Sequence, residues 1–369
     1  MATASVIADF TLPAHLEAGE PPEARGLRRD DVRLLVSRVG VDSLAHARFS
    51  DLPRWLSAGD VLVVNTSATL NAAVIVEGDR GTPLELHLST QLPGGFWIVE
   101  LRERSAAASI PYHHARAGMT LALPAGGNAT LLAPYPFVHT MESPSRLWTA
   151  ALQTSRPLTA YLDRYGFPIR YGYVGREWPL AMYQTIFATE PGSAEMPSAG
   201  RPFTPELVTT LVSRGIEIAP LVLHTGVASL EDHEPPYEEF YRVTRPTADR
   251  VNNARRAGHR IIAVGTTVVR ALETVTDEHG LSSPGEGWTR LIVTRDRPIR
   301  SVDGLITGFH EPRATHLSLL EAVAQAVIRK RSHQRPGRSA SSHLSKAYTA
   351  ARDAGYLWHE FGDSHLILS

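Results

Sequence analysis

The sequence predicts an α/β protein, in which a large mixed or parallel sheet with helices on its faces carries an inserted small antiparallel β-barrel. Short apolar runs separated by turn residues fill the segment 60–152, and strands alternate with helical segments after it. A chain of 369 residues is also long enough for about two domains. We therefore assign residues 59–152 to the barrel, and residues 1–58 and 153–369 to one discontinuous catalytic α/β domain.

The barrel prediction depends on repeated short runs. They lie at 61–64, 74–76, 84–88, 96–101, 119–123, 130–132 and 147–152. Glycine, proline, asparagine and aspartate separate most of them, for example at Gly78-Asp79 and Pro93-Gly94-Gly95. Repeated short strands with such turn signals are typical of a small antiparallel barrel or sandwich.

The α/β prediction depends on helix and strand signals in the second half of the chain. Thr204-Pro205 predicts a helix start and Gly215 the end of that helix, while Pro246 and Gly258 bracket a second helix. Further helices are predicted at 268–276, 314–331 and 341–354, and strands at 216–223, 260–264, 291–294 and 365–368. Strands that alternate with helices favour a parallel sheet covered by helices.

Composition excludes several classes of protein. The chain has no cysteine, which rules out disulfides, thiolate zinc sites, iron–sulfur clusters and a cysteine nucleophile. Its 37 basic and 38 acidic residues give a formal net charge of −1, so a nucleic acid would need a local basic patch. Since no apolar segment has the length of a signal peptide core or a membrane span, we expect a cytoplasmic protein without membrane contact.

Common nucleotide-binding and hydrolase motifs are absent from the sequence. It contains no G-x-x-x-x-G-K-[ST] loop, no G-x-G-x-x-G fingerprint and no G-x-S-x-G elbow. The pairs His233-Glu234, His310-Glu311 and His359-Glu360 begin like the H-E-x-x-H zinc motif, but each lacks the second histidine. We therefore expect no catalytic metal.

The most informative local motif is Gly265-Thr266-Thr267, which follows the predicted strand 260–264 and opens a helix. Amides at a helix start, together with the two hydroxyls, suit a carboxylate or sugar hydroxyls, and open α/β sheets bind ligands at such strand ends. A purely structural role is the alternative, in which Thr266 caps the helix and Gly265 permits the turn. The residues alone leave both interpretations open.

Two histidines follow predicted strands. His310 comes after a short strand and precedes a long helix, and His224 comes directly after the strand 216–223. Histidine titrates near neutral pH and serves as acid, base or hydrogen-bond donor, although a packed structural histidine is the usual alternative. We expect both rings to face one cleft. The basic stretch 329–338 is either a phosphate contact or a solvated loop.

Motifs along nearly the whole chain resemble those of one family. They are, in order, Arg29-Asp30-x-x-Arg33, Asn65-Thr66, Tyr183-Gln184-Thr185, Pro197-Ser198-Ala199-Gly200, Leu223-His224-x-Gly226, Gly265-Thr266-Thr267-x-Val269-Arg270, Asp303-Gly304, Phe309-His310-x-Pro312 and Phe361-Gly362-Asp363. In this collinear order the chain resembles the S-adenosylmethionine:tRNA ribosyltransferase-isomerase family of queuosine biosynthesis.

The resemblance implies a large α/β domain with an inserted β-barrel, and a cytoplasmic enzyme that uses S-adenosylmethionine as co-substrate without a metal. In the implied reaction the ribosyl group of S-adenosylmethionine moves onto an aminomethyl-deazaguanine base in the tRNA anticodon loop and is rearranged. Adenine and methionine leave. The implied partner is therefore tRNA, and we expect a monomer or a weak homo-oligomer.

The resemblance also implies site residues. Those expected to bind the co-substrate are Gly265, Thr266, Thr267 and Arg270. Those expected in the reactive cleft as catalytic residues are His224, His310 and Asp363.

The chain departs from the family pattern in the segments 65–69, 200–203, 234–241 and 308–315, and the first three lose histidine, arginine or acidic side chains. Two alternatives therefore stay open. One is an S-adenosylmethionine-dependent enzyme that acts on a small-molecule acceptor or on S-adenosylmethionine itself. The other is a non-catalytic protein that binds a nucleoside.

Overall fold

The computed structural model describes residues 10–369, apart from 79–80, 82, 105–108, 136–144, 228–236, 296, 313 and 332–338, and without the side chains of Lys330 and Arg331. In this part the helices are α1 (Leu158–Tyr165), α2 (Pro205–Ser213), α3 (Arg245–Arg256), α4 (Thr266–Thr274), α5 (Thr315–Arg331) and α6 (Ala340–Asp353). The strands are β1 (Arg33–Arg38), β2 (Ser43–Arg48), β3 (Val61–Asn65), β4 (Ser67–Thr69), β5 (Ala73–Glu77), β6 (Pro83–Gln91), β7 (Trp97–Glu103), β8 (Ile110–Pro111), β9 (Thr120–Leu123), β10 (Gly127–Tyr135), β11 (Leu147–Gln153), β12 (Gly166–Phe167), β13 (Glu190–Ser193), β14 (Glu217–Leu223), β15 (Glu239–Val243), β16 (Ile261–Val264), β17 (Gly285–Thr289), β18 (Gly304–Gly308) and β19 (Ser364–Leu368).

A nine-stranded mixed sheet in the order β17-β15-β14-β3-β16-β18-β19-β1-β2 forms the larger unit. Its centre, β14-β3-β16-β18, is parallel throughout. Antiparallel pairs lie outside this centre, where β15 pairs with β14, β19 with β18, and β2 with β1. The predicted large mixed sheet is therefore confirmed.

Both faces of the large sheet are buried, as the continuous apolar run of β3 shows. Val61 and Val63 belong to the core that includes side chains of α3, α4, α5 and α6. Leu62 and Val64 point to the opposite face, where they share a core with Phe203 and side chains of α2. Because side chains alternate between faces, only a strand covered on both sides needs every position to be apolar.

The smaller unit is a closed antiparallel barrel. Its strands follow the order β11-β10-β9-β5-β6-β7, and pairing of β11 with β7 closes the ring. A separate core fills it, with Leu86, Ile98 and Leu131 fully buried. The predicted inserted barrel is confirmed.

Three predictions about these elements need correction. β3 lies within the range assigned to the barrel, but it is a central strand of the large sheet, so we place the start of the barrel at β5 rather than at residue 59. At the other end, α1 and β12 pack on the barrel rather than on the large sheet, since Tyr161 and Leu162 belong to the barrel core and β12 pairs with β5. Residues 291–294 form no strand; the strand is β17, which lies at the edge of the sheet and lacks an apolar run.

Sequence signals located helices α2 to α6, whereas α1 was not predicted. Thr204 caps α2, with its Oγ1 accepting a hydrogen bond from the Leu207 amide at 3.1 Å, and Thr244 caps α3 in the same way. α5 and α6 lie within a residue or two of the predicted bounds. Caps and periodicity are local signals, so they predict helix positions without knowledge of the tertiary fold.

Gly265 joins β16 to α4 with φ +102° and ψ 152°, a region of backbone conformation open almost only to glycine. We predict that Gly265→Ala lowers the free energy of unfolding by about 1–3 kcal/mol through backbone strain. Urea denaturation measures the loss. Gly175→Ala is the matched control, because its added Cβ meets nothing within 4 Å. Equal stabilities of the two variants would contradict the assignment of strain to Gly265.

His365 on β19 is fully buried, and burial lowers its pKa to about 3, with a smaller contribution from His343. Below the ordinary histidine pKa near 6.5, His365 is protonated in the unfolded chain but stays neutral in the folded protein. The free energy of unfolding therefore falls as the pH drops from about 6.5 towards 3. We predict that His365→Gln reduces this slope by about one proton, or ~1.4 kcal/mol per pH unit. Denaturation at pH 5 and 7 checks it, with the exposed His279→Gln as control. An unchanged slope in His365→Gln would show that this imidazole already takes up its proton in the native state.

Candidate active site

The carboxyl ends of the parallel strands meet at one edge of the large sheet. β3 ends at Asn65, β14 leads into His224, β16 leads into Gly265, and β18 leads into His310. Open α/β sheets bind ligands at this edge. The structure therefore brings these residues, which are far apart in the sequence, to the same end of the sheet.

Thr266, Thr267 and Arg270, at the start of α4, line a cavity of about 150 Å³. We call it the Arg270 chamber. Glu239 holds Arg270 by an ion pair with Nη1, and the Leu291 carbonyl accepts from Nε at 3.1 Å. Nη2 of Arg270 is buried and has no hydrogen-bond partner among the described residues. This leaves a guanidinium donor available to a ligand anion.

A second cavity, of about 310 Å³, lies where β18 ends. We call it the aromatic chamber, because the side chains that line it include Tyr171, Tyr173, Tyr183, Phe309, His310, His316 and His359. Its volume is within the range of about 300–1,000 Å³ that small-molecule sites occupy.

The two chambers are adjacent, because Glu195, Thr315 and His316 line both of them. We call this adjacent pair, with Arg270 in the wall of one chamber and His310 in the wall of the other, the two-chambered cavity. Among its described lining residues, four carboxylates (Glu195, Glu239, Glu311 and Glu360) accompany a single guanidinium, that of Arg270. Such a cavity favours a ligand with positive charge in the middle and one anionic group at the Arg270 end.

His310 and His316 form a stacked pair, with ring centroids 4.7 Å apart and an interplanar angle of 4°. Thr307 Oγ1 lies 2.8 Å from Nε2 of His310. Burial, helped by the neighbouring histidines, holds the pKa of His310 well below 6.5. His316 lines both chambers, and desolvation there, together with Arg270, lowers its pKa to about 4. Both imidazoles are therefore neutral at neutral pH.

Tyr173 organises the far wall of the aromatic chamber. Its ring stacks on His359 at 3.8 Å, and its hydroxyl donates a hydrogen bond to Glu360 Oε2 at 2.5 Å. Burial and the nearby Glu311 raise the pKa of Glu360. His359 has a φ of +71°, unusual for a residue with a side chain, and its Nδ1 lies 3.3 Å from Glu311. Such strained residues concentrate at functional sites.

His224 does not share this cavity, so the expectation that it faces one cleft with His310 is not met. It lines a separate cavity of about 580 Å³ between the barrel and the sheet, stacked on Phe240 and with Nδ1 2.7 Å from Ser67 Oγ. The reason is the segment after Glu190, which contributes residues 191–192 to the His224 cavity and residues 194–195 to the other. A strand-end histidine can thus point to either side of this segment.

Asp363 lies outside both chambers. Its Oδ1 accepts from the Arg33 amide at 2.7 Å, and its Oδ2 accepts from the Arg33 guanidinium and from the Leu357 amide, each at 2.8 Å. The carboxylate thus ties the β1 entry to the turn before β19. These contacts give Asp363 a structural role in holding the two segments together.

Several site residues were not singled out from the sequence, namely Tyr171, Tyr173, Glu195, Glu239, His316 and Glu360. The His-Glu pairs were a sequence signal that could have found Glu360. His310-Glu311 and His359-Glu360 do not complete a zinc motif, yet both pairs line the aromatic chamber. The third pair, His233-Glu234, and most of the basic stretch 329–338 lie outside the described residues.

A metal-binding cluster and a membrane-spanning helix are both absent from the described residues. No group of three or more histidine, aspartate or glutamate side chains there is arranged to hold a metal ion. None of the helices described is both long and apolar enough to cross a membrane.

An α/β sheet with a ligand cavity at its strand ends, lined by neutral histidines, carboxylates and one arginine, defines an enzyme-type protein for a small charged ligand. The chain belongs to the queuosine biosynthesis protein family, whose model matches residues 7–367. It is 36% identical over 371 residues to the S-adenosylmethionine:tRNA ribosyltransferase-isomerase of Moorella thermoacetica, and 34% identical over 372 residues to that of Thermus thermophilus. Each alignment covers 98% of both chains.

A solved structure supports the same grouping. The S-adenosylmethionine tRNA ribosyltransferase of Thermotoga maritima is 26% identical in sequence, with a TM-score of 0.51. The match covers 98% of this chain and 100% of the other.

The contacts of Asp363 predict that Asp363→Ala destabilises the fold. Two backbone N–H donors lose their acceptor at about 1–3 kcal/mol each, so we expect a loss of about 2–6 kcal/mol in the free energy of unfolding. Urea denaturation measures it, and Asp353→Ala on the exposed end of α6 is the control. A variant as stable as this control would rule out the scaffold role.

Proposed function

We propose that this protein is an S-adenosylmethionine:tRNA ribosyltransferase-isomerase of queuosine biosynthesis. It moves the ribosyl group of S-adenosylmethionine onto the aminomethyl-deazaguanine base of tRNA and releases adenine and methionine. The whole-length likeness to relatives of that name supports the proposal, as does the family membership of the chain.

The observation that carries the proposal is the charge pattern of the two-chambered cavity. S-adenosylmethionine has a sulfonium and an ammonium cation and one carboxylate. Carboxylate side chains suit the cations, and the buried Nη2 of Arg270 suits the carboxylate. Thr266 and Thr267 line the same chamber and add hydroxyls near the first amides of α4.

The chemistry needs a base at a sulfonium. A sulfonium acidifies the neighbouring CH₂, so one positioned base can start the reaction. A neutral imidazole is the form that accepts a proton, and burial keeps His310 and His316 in that form. We assign proton abstraction to this pair, with His224 and Asp363 outside the reacting cavity.

A local feature is compatible with an RNA acceptor. The segment 164–178 supplies Tyr171 and Tyr173 to the aromatic chamber and also carries Arg164, Arg170 and Arg176. Arginines interleaved with aromatic rings are typical of single-stranded nucleic-acid contacts. An anticodon loop held there would place its base beside the donor.

The central prediction concerns adenine release. With S-adenosylmethionine and tRNA that carries the aminomethyl-deazaguanine base, we expect adenine release measured by chromatography, and none with tRNA that carries guanine.

His310→Ala should lower kcat about 100-fold or more, the usual contribution of a positioned base. Arg270→Met should raise KM for S-adenosylmethionine about 10-fold or more, through loss of a charged hydrogen bond.

Arg256→Met, on the exposed end of α3, is the control for Arg270→Met and should leave both constants unchanged. Adenine release that does not depend on tRNA would favour a small-molecule acceptor instead. Binding of S-adenosylmethionine without release under any acceptor would favour a non-catalytic protein.

A further inference from the structure

We propose that the aromatic chamber is the subsite for the adenine of S-adenosylmethionine, and that Glu360 is the acid that protonates the departing base. The inference rests on the proposed function and adds to it the division of the cavity between the two ends of the donor. It also assigns a catalytic role to a residue that the sequence motifs did not mark.

The lining of the aromatic chamber suits a neutral purine. Tyr171, Tyr173 and His316 are partly or largely open to it, and stacking of a base on such rings stabilises binding. No lysine or arginine is among its described lining residues, so it offers the methionine carboxylate no partner. That carboxylate belongs at Arg270, in the adjoining chamber.

The sizes of the chambers support the same division. The Arg270 chamber, at about 150 Å³, is smaller than the roughly 300–1,000 Å³ of typical small-molecule sites. It holds the amino-acid end but not the whole donor. If the acceptor base filled the aromatic chamber, the adenine would have no room. A donor that spans both chambers places its sulfonium at their shared wall, beside Glu195 and His316.

Glu360 lies where an acid for the leaving base is needed. It lines the aromatic chamber and accepts the Tyr173 hydroxyl, so its carboxyl is fixed beside one of the stacking rings. Burial and Glu311 raise its pKa, although the hydrogen bond from Tyr173 opposes this, so the site shifts the carboxyl towards the protonated form that a proton donor needs. The other titratable or charged groups that face it are Tyr173, Tyr183, His310, His359 and Arg201.

The departure of adenine is an acid-assisted cleavage of the glycosidic bond. The C1′–N9 bond breaks and its electron pair leaves with adenine, while the ribose ring oxygen supplies an electron pair to C1′ as in glycosidase transition states. The proton of Glu360 goes to a ring nitrogen of the base. Neutral adenine, the Glu360 carboxylate and a ribosyl oxocarbenium ion at C1′ result. The electron pair freed when the imidazole takes the proton beside the sulfonium neutralises that cation, and a proton from solvent restores the acid of Glu360.

The subsite is tested by binding, independently of turnover. The probes are S-adenosylmethionine and S-methylmethionine, which keeps the sulfonium and the amino acid but has no adenine. We expect Tyr173→Leu to weaken S-adenosylmethionine about 10-fold and to leave S-methylmethionine unchanged. Tyr173→Phe keeps the ring and should bind both probes like the wild type.

Outcomes of the binding test are decisive either way. If Tyr173→Leu weakens both probes equally, or neither, the adenine subsite is elsewhere. Circular dichroism and the thermal midpoint establish that the variants fold. A wild-type protein that binds S-adenosylmethionine but releases no adenine with any tRNA refutes the proposed function, while the comparison of the two probes still decides the subsite.

The acid is tested with Glu360→Gln. We expect binding of S-adenosylmethionine to stay within about threefold of the wild type, and single-turnover adenine release to fall about 100-fold or more. The fall of the wild-type rate at high pH, where Glu360 is ionised, should disappear in the variant. A donor with 6-chloropurine, a base that leaves more readily, should restore most of the rate. Release at the wild-type rate, or no rescue by 6-chloropurine, overturns the assignment.

Discussion

The parallel alignment of β14, β3, β16 and β18 is the constraint on which the site depends, because parallel strands end at one edge of a sheet. Asn65 fixes that edge. Its side chain donates to the Leu223 carbonyl at 2.7 Å, accepts from the Leu223 amide at 3.0 Å, and approaches Thr267 Oγ1 at 3.5 Å. One amide thus links the ends of two strands to the start of α4. The Arg270 chamber forms beside this junction.

Charge within the cavity is arranged before a ligand enters. Glu239 pairs with Arg270 and also accepts a hydrogen bond from the Gly226 amide at 2.8 Å, so the ion pair is anchored to the backbone. Desolvation keeps His310 and His316 neutral, and Arg270 adds to this effect at His316. A cationic donor lowers the pKa of these rings further, so the imidazoles stay unprotonated when the donor binds.

The barrel supports the wall of the Arg270 chamber from behind. Ser89 on β6 accepts from the Val227 amide at 3.0 Å and lies 2.8 Å from the Tyr237 hydroxyl, and both Val227 and Tyr237 line the chamber. A Cβ added at Gly226 would lie 2.6 Å from Ser89 Oγ and from Tyr237, so the approach of the two units requires glycine there. A shift of the barrel against the sheet would therefore change the shape of the ligand cavity.

The sequence alone determined helices α2 to α6, the mixed sheet and the presence of the barrel, because caps and periodicity are local signals. Its strand-end motif also made Gly265, Thr266, Thr267 and Arg270 candidates for ligand binding. Only the tertiary structure decided that β3 belongs to the large sheet, that His224 faces a cavity other than that of His310, and that Asp363 is bound by Arg33. It also assembled Tyr173, Glu195 and Glu360 around His310. Such contacts join residues up to hundreds of positions apart in the sequence. They depend on the order of the strands in the sheet and on the direction in which each loop turns, and no local sequence pattern contains that information.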